Sequence, residues 1–269
     1  MGQESVKAVG EDPELELVAQ TDLGDNLSDT IKQAQAQVVV DFTTAAVVME
    51  NAAEIIESGA RPVIGTSGLL PEQVSKLQEL CEKHNNGGVI APNFAVGAVL
   101  MMKYAQDAAK YFPNAEVIEL HHDRKADAPS GTAIKTANLL AESRKSVPAK
   151  IDEKEILSGA RGAESKDIRI HSVRLPGLVA HQEVIFGSQS QTLKIRHDSI
   201  HRDSFMPGVC LACKKVMHLK ELVYGLEHLL KITTNITLKR ASCPSDEVRD
   251  KPSQNPDDLY VHTEGSHPD

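Results

Sequence analysis

Short apolar runs separated by longer amphipathic stretches set the rhythm of the first hundred positions. Val38–Phe42 (V-V-V-D-F), Arg61–Ile64 and Val89–Ala91 read as buried strands. Between them, Val74, Leu77 and Leu80 fall on one face of a helix predicted over 71–83. Ser5–Val9 and Asn26–Ala34 carry helical patterns, and Leu15–Ala19 alternates like a strand that ends in polar Gln20-Thr21-Asp22. Thr43-Thr44 is placed to cap a helix running to Glu57. Strands alternating with helices at this spacing predict a parallel sheet covered on both faces. Ligands of such sheets bind outside the carboxyl ends of the strands. The polar positions that fall there are Asp22, Thr43, Gly65–Gly68 and Asn93-Phe94. An acid closing the second strand suits a dinucleotide ribose. Read alone, Asp22 and Gly65–Gly68 are turn residues.

The rhythm changes after an apolar-faced helix over Gly97–Phe112. Val117-Ile118 leads as a strand into a polar loop, and a helical pattern over Ile134–Glu142 leads out. Ser143–Asp167 is charged and reads as mobile. Ile168–Val173, Glu183–Phe186 and Leu193–Arg196 are strands joined by short turns, which predicts an antiparallel or mixed sheet and so a second domain. Phe205-Met206-Pro207-Gly208 opens a helix over Val209–His218, and a further helix is expected over Leu219–Leu230. Thr233–Asp269 is rich in Pro, Ser, Asp and Asn and reads as a disordered tail. Its Asn235-Ile236-Thr237 triplet fits a glycosylation pattern that is read as chance.

Composition narrows the function classes. The net charge of −9 argues against nucleic acid, which needs clustered Lys and Arg, and the absence of Trp with only 3% aromatics leaves no base-stacking platform. No apolar run reaches the roughly 18 residues that cross a membrane. The four cysteines (81, 210, 213, 243) are sparse, which favours a reduced, intracellular setting. Cys210 and Cys213 read as small apolar residues of a helix. His197 and His201 are four apart, but the strand pattern around them and the lack of a further ligand oppose a metal.

The chemistry concentrates in Glu119–Ala133, E-L-H-H-D-R-K-A-D-A-P-S-G-T-A. Successive strand residues face opposite ways, so His121 and His122 address one small ligand only if the strand ends there. Lys125 follows in the loop, and Ser130-Gly131-Thr132 opens a helix whose free N–H groups and dipole attract anions. Gly131 lets a ligand approach the backbone. A histidine, a lysine and an anion-binding helix start suit a small carboxylate that is protonated during reaction. Singly, each reads as structural: a packed histidine, a solvated charge, an N-cap. A purely structural loop has no need of all of them.

This segment resembles the signature of the 4-hydroxy-tetrahydrodipicolinate reductase (dihydrodipicolinate reductase) family, E-x-H-H-x-x-K-x-D-A-P-S-G-T-A, and matches it throughout. Arg174-Leu175-Pro176-Gly177 and His181 match a second family pattern, R-x-x-G-x-x-x-H. The resemblance implies an α/β fold: a Rossmann-like dinucleotide-binding domain (1–92 with 203–232), lacking its first strand, and an α+β substrate and tetramerisation domain (93–202), with 233–269 as the tail. It implies reduction of a cyclic dicarboxylate by NADH or NADPH in the diaminopimelate route to lysine, in a cytoplasmic homotetramer (chloroplast stroma in a plant or alga). The implied catalytic residues are His121 as general acid and Lys125 as charge stabiliser or proton relay. His122, Ser130, Gly131 and Thr132 hold substrate carboxylates or shape their site, and Asp127 shapes the loop. Cofactor contacts carry over to Met1, Gly2, Asp22, Gly65, Thr66, Ser67, Ala91, Pro92, Asn93 and Phe94. Some members have an arginine after the acid; here Leu23 stands there, so NADH is expected to serve at least as well as NADPH.

The start departs from the family. Its glycine-rich loop, about G-x-x-G-[RK]-M-G, is represented here only by Met1-Gly2. Two readings follow: an N-terminal fragment, or a crippled nucleotide half. Two other functions stay open at this point. One is an accessory protein that assembles a photosynthetic electron-transfer complex, as a chloroplast relative does. The other is a different dehydrogenase on the same two-domain plan.

Overall fold

The structure, a computed structural model, describes residues 1–149 and 152–230. The expected tail, the Asn235 triplet and Cys243 lie outside them.

Two sheets organise these residues. The first is parallel, with β1 (Val38–Asp41), β2 (Arg61–Ile64), β3 (Gly88–Ile90) and β9 (Leu222–Tyr224) in that spatial order. Its helices are α2 (Leu27–Ala34), α3 (Val48–Glu57) and α4 (Pro71–Lys83). Local chemistry starts two of them. The Asn26 side chain accepts from Asp29 N at 2.9 Å ahead of α2, and Pro71 opens α4 while Gln73 Oε1 accepts from Leu70 N at 2.8 Å. Ile55 and Ile56 of α3, Leu77 and Cys81 of α4, and Ile64 of β2 close a buried core on one face. The opposite face packs against α7 (Met206–Val216), and α1 (Gly2–Glu11) lies against α7 in turn.

The second sheet runs β5 (Ala163–Ser165), β6 (Ile168–Arg174), β4 (Asn114–His121), β7 (Ala180–Ser188), β8 (Gln191–Ser199). β4 is central, parallel to β6 and antiparallel to β7, so the sheet is mixed. α5 (Val96–Ala109) and α6 (Gly131–Ser143) cover one face, burying Val117, Ile170, Val184 and Phe186 against Ala133, Ala137, Leu140 and Ala105. A parallel α/β sheet joined to a mixed one is the plan the sequence predicts.

Three expectations are corrected. Leu15–Ala19 is not a strand. Among the described residues no strand lies beside it to complete a ladder, and Leu17 and Val18 stay 38% and 48% exposed. Thr43-Thr44 does not cap α3, which begins at Val48 after a turn; the Thr43 N–H and hydroxyl are held instead by the Asp41 carboxylate at 2.9 and 2.8 Å. Leu219–Leu230 is not a helix. Leu222–Tyr224 pairs with Gly88–Ile90 as the last parallel strand, Gly225 takes φ +106°, and a 3-10 turn over Leu226–His228 follows. A free sheet edge outweighs the weak helical pattern of this segment.

Cys210 and Cys213 lie on α7 as expected, both buried; burial pushes Cys213 up to about 12, so it is not a thiolate near neutrality. Among the described residues no helix is long and apolar enough to cross a membrane.

Candidate active site

β4 ends at His121, and the chain turns away at once. That ending resolves the problem of two adjacent histidines, because His122 has left the pleat. The loop then runs to Ser130, which is buried and caps α6, its hydroxyl accepting from Ala133 N at 3.2 Å.

Beneath the loop lies Glu119, two residues before His121 and so on the same face of β4. It is 0% exposed, and its carboxylate is fully occupied. Arg174 donates to it twice, Nη1 to Oε2 at 2.9 Å and Nη2 to Oε1 at 2.7 Å. Ser130 N donates to Oε1 at 3.2 Å, and Oε2 makes a short hydrogen bond with His121 Nδ1. Arg174 also reaches the loop carbonyl of Asp127 at 2.7 Å. Burial acts to raise the Glu119 pKa, but the hydrogen bonds, that of Arg174 foremost, hold it below the usual carboxylate range. For His121, burial pushes the pKa below the ordinary imidazole value, Glu119 opposes that, and the charges of Lys125 and Arg174 reinforce it.

Lys125 Nζ stands 2.6 Å from Asp127 Oδ1, with its side chain 23% exposed. His122 Nδ1 is buried and has no hydrogen-bond partner. Gly131 opens α6 at the surface, and a Cβ built on it meets nothing within 4 Å. No internal packing therefore requires glycine there, and the open space in front of the helix start is free for a ligand.

The loops after β3 and β9 face the same helix start from the other side. A cavity of about 50 Å³ is lined by Pro92 and Asn93, just past β3, and by Gly131, Thr132 and Lys135 of α6. Lys135 Nζ closes its rim with Glu227 Oε1 at 2.7 Å. Asn93 is itself fixed, its Oδ1 accepting from Ala95 N at 2.8 Å. Ala91 extends the β3 edge through Ala91 N to Ile64 O at 2.9 Å, and Phe94 is buried edge-on against Phe42, ring centroids 5.8 Å apart.

Gly65-Thr66-Ser67 follows β2 directly. A Cβ on Gly65 would run into the Phe42 ring, which explains the glycine, and Thr66 Oγ1 donates to Asp41 Oδ1 at 2.6 Å. Met1 is the N-cap of α1, and Gly2 begins that helix. Asp22 does not end a strand. It sits in an exposed turn whose bonds are internal: Leu23 N to Asp22 Oδ1 at 2.7 Å and Asp22 N to Asp25 Oδ2 at 2.8 Å. The structure thus brings Pro92 and Asn93 together with Gly131 and Thr132 across one crevice, and joins His121 to the same helix start through Glu119. Met1 packs against the core cluster that includes Ala91 and Phe94, while the bonds of Asp22 stay within its own turn.

Glu119 and Arg174 each open a family pattern matched in the sequence, but the sequence assigns neither a role in the site. The i, i+2 spacing of Glu119 and His121 on a strand was the available signal. The pairing of His121 with Arg174 across β4 and β6 was not available.

Known proteins resemble this chain in both sequence and fold. The family profile "Dihydrodipicolinate reductase, N-terminus" matches residues 1–94, and "Dihydrodipicolinate reductase, C-terminus" matches 97–230. A 4-hydroxy-tetrahydrodipicolinate reductase of Listeria monocytogenes serotype 4b is 53% identical over 251 residues, covering 86% of this chain and 95% of the relative. One of Streptococcus pneumoniae serotype 19F is 54% identical over 242 residues with the same coverage. Among solved structures, dipicolinate-bound dihydrodipicolinate reductase from Paenisporosarcina sp. TG-14 superposes with a TM-score of 0.77 at 47% identity, over 85% of this chain and 95% of that one. With its signature intact and both halves matched, the chain belongs to the dihydrodipicolinate reductase family.

Proposed function

We propose that this protein reduces the dehydrated form of 4-hydroxy-tetrahydrodipicolinate to tetrahydrodipicolinate, using NADH or NADPH, in lysine and diaminopimelate biosynthesis. The observation that carries the reading is the crevice in which Pro92-Asn93 of the parallel sheet faces Gly131-Thr132 of the signature helix. A hydride donor held at the carboxyl ends of parallel strands and a carboxylate held at a helix start are brought there to one point.

The residues present fit a nicotinamide dinucleotide. The loops after β2 and β3 carry Gly65–Ser67 and Ala91–Phe94, both tied to the sheet, and Asn93 opens onto the crevice. The cofactor supplies the hydride when bound. Hydride addition to a conjugated imine leaves negative charge on the ring, and a proton has to arrive. His121 donates that proton, and the Lys125 ammonium stabilises the charge or relays the proton. The N–H groups of Gly131 and Thr132 and the His122 ring hold the substrate carboxylates; the unpartnered His122 Nδ1 supports that role. Ser130 shapes the site as the cap of α6. The relative bound to dipicolinate, an aromatic dicarboxylate of the same ring plan, supports the substrate class.

NADH serves at least as well as NADPH, because the exposed residue after Asp22 is Leu23, which offers a 2′-phosphate no charge. Asp22 takes the ribose and Met1-Gly2 lie near the pyrophosphate on this reading. The division into 1–92 with 203–232 and 93–202 is supported by β9, which joins the parallel sheet beside β3. The protein acts as a cytoplasmic homotetramer built on the mixed sheet. The half-buried Ile118 and Ile185, on the face turned away from α5 and α6, support that use.

The test couples the purified chain to the preceding synthase with aspartate semialdehyde, pyruvate and NADH. Oxidation of NADH that requires the synthase supports the reading. Calorimetry with NADH and NADPH separates the accessory-protein reading, under which neither binds.

A further inference from the structure

The Glu119 carboxylate has more to do than hold a strand in place. It is wholly buried in a family site whose other charged groups are at least partly open, and four groups converge on it: two Arg174 nitrogens, the Ser130 N–H and His121 Nδ1. An isolated buried carboxylate is costly, and here the bidentate Arg174 offsets that cost without using the lone pair that faces His121. Arg174 is placed by register, directly across from His121 on the neighbouring strand, and its second anchor on Asp127 O reaches the loop that carries Lys125.

We propose that Glu119, clamped by Arg174, is a positioning residue that holds the His121 ring with Nδ1–H toward the carboxylate and leaves Nε2 to exchange the proton with substrate. The inference rests on the reading of His121 as the acid. An imidazolium gives its Nε2 proton to the substrate and stays neutral with Nδ1–H retained, Glu119 remains a carboxylate throughout, and solvent restores the proton. A carboxylate behind a histidine fixes tautomer and orientation in this way and stabilises the charged ring. The same oxygen pair also takes the Ser130 N–H, so one carboxylate sets His121 relative to the helix start that holds the substrate carboxylates. The charged groups facing the ring are Glu119 of β4, Lys125 of the loop and Arg174 of β6. Only Glu119 favours the imidazolium.

The test compares Glu119→Gln with the parent in the coupled assay across pH. Because the variant leaves Arg174 unpaired, Glu119→Gln/Arg174→Met is run beside it, and the tautomer of His121 in the parent is read by ¹⁵N NMR of the histidine-labelled full chain. The expected result is a kcat lower by roughly 10- to 100-fold with KM within a few-fold, and an alkaline fall of kcat/KM moved to lower pH. In the parent, neutral His121 is expected to carry its proton on Nδ1. An unmoved rate and pH limb, or an Nε2–H tautomer in the parent, overturns the positioning role if His121→Gln is inactive. If His121→Gln retains full turnover, the acid reading fails and this inference falls with it.

Discussion

The Thr66 hydroxyl stands 2.6 Å from Oδ1 of Asp41, a carboxylate only 4% exposed at the end of β1. Asp41 also takes the Thr43 N–H and hydroxyl and, at 2.9 Å, the Asn51 amide, so it fastens the β2 turn to the loop after β1. Asp41→Ala strands these donors and is expected to lower stability by about 2 kcal/mol. It is also expected to weaken NADH binding roughly 10-fold, since the Gly65–Ser67 turn loses its tie. Thr66→Val is expected to cost about 1 kcal/mol. Urea midpoints and calorimetric NADH titrations check both.

Two glycines are predicted to part company. A Cβ on Gly208 would collide with the Phe94 carbonyl oxygen, so Gly208→Ala is expected to cost about 1–3 kcal/mol through overpacking. A Cβ on Gly131 meets nothing, so Gly131→Ala should change stability by less than about 1 kcal/mol. It should still raise KM for the dicarboxylate roughly 10-fold by filling the ligand's space. Melting curves and steady-state kinetics on the pair decide whether that space belongs to substrate.

The pH dependence carries a definite sign. As the proposed acid, His121 would act in its protonated form, and its pKa in the free protein lies below the ordinary value. Hence kcat/KM should fall as pH rises through a midpoint below about 6.5. In the complex, substrate carboxylates favour the imidazolium, so the corresponding fall in kcat should come at higher pH. The lowered pKa also means that the unfolded chain binds more protons at this residue. Its contribution to stability therefore declines as pH drops through about 6.5. Rate profiles and chemical denaturation at several pH values read these effects.

Lys125 is paired with Asp127 at 2.6 Å, which would be enough to explain a surface ion pair. Lys125→Ala is nevertheless expected to lower kcat by roughly 100-fold, while Asp127→Asn stays within a few-fold. A rate within a few-fold of the parent in Lys125→Ala would reduce Lys125 to a surface charge.

Much of this was legible along the chain because it is local. Val38–Phe42 and Arg61–Ile64 announce themselves as short strand runs and the 71–83 helix by its period, and the signature places strand, loop and helix start in their observed order. What escaped depends on partners far away in sequence. Leu222–Tyr224 is a strand because Gly88–Ile90 presents an edge to it, and Leu15–Ala19 is not one because no neighbour is there among the described residues. Glu119 and Arg174 lie 55 residues apart, and only the β4–β6 register brings them together. Residue types can nominate an acid, and i, i+2 spacing the carboxylate beside it, but the arginine that clamps that carboxylate depends on tertiary pairing.

The most direct test of the account is His121→Gln in the synthase-coupled assay, with dipicolinate and NADH affinity measured by calorimetry on the same preparation. Transfer of the proton by His121 predicts kcat lower by roughly 100-fold or more with both affinities within a few-fold of the parent. A variant that turns over like the parent, or one that loses rate and dipicolinate affinity in equal measure, would contradict it.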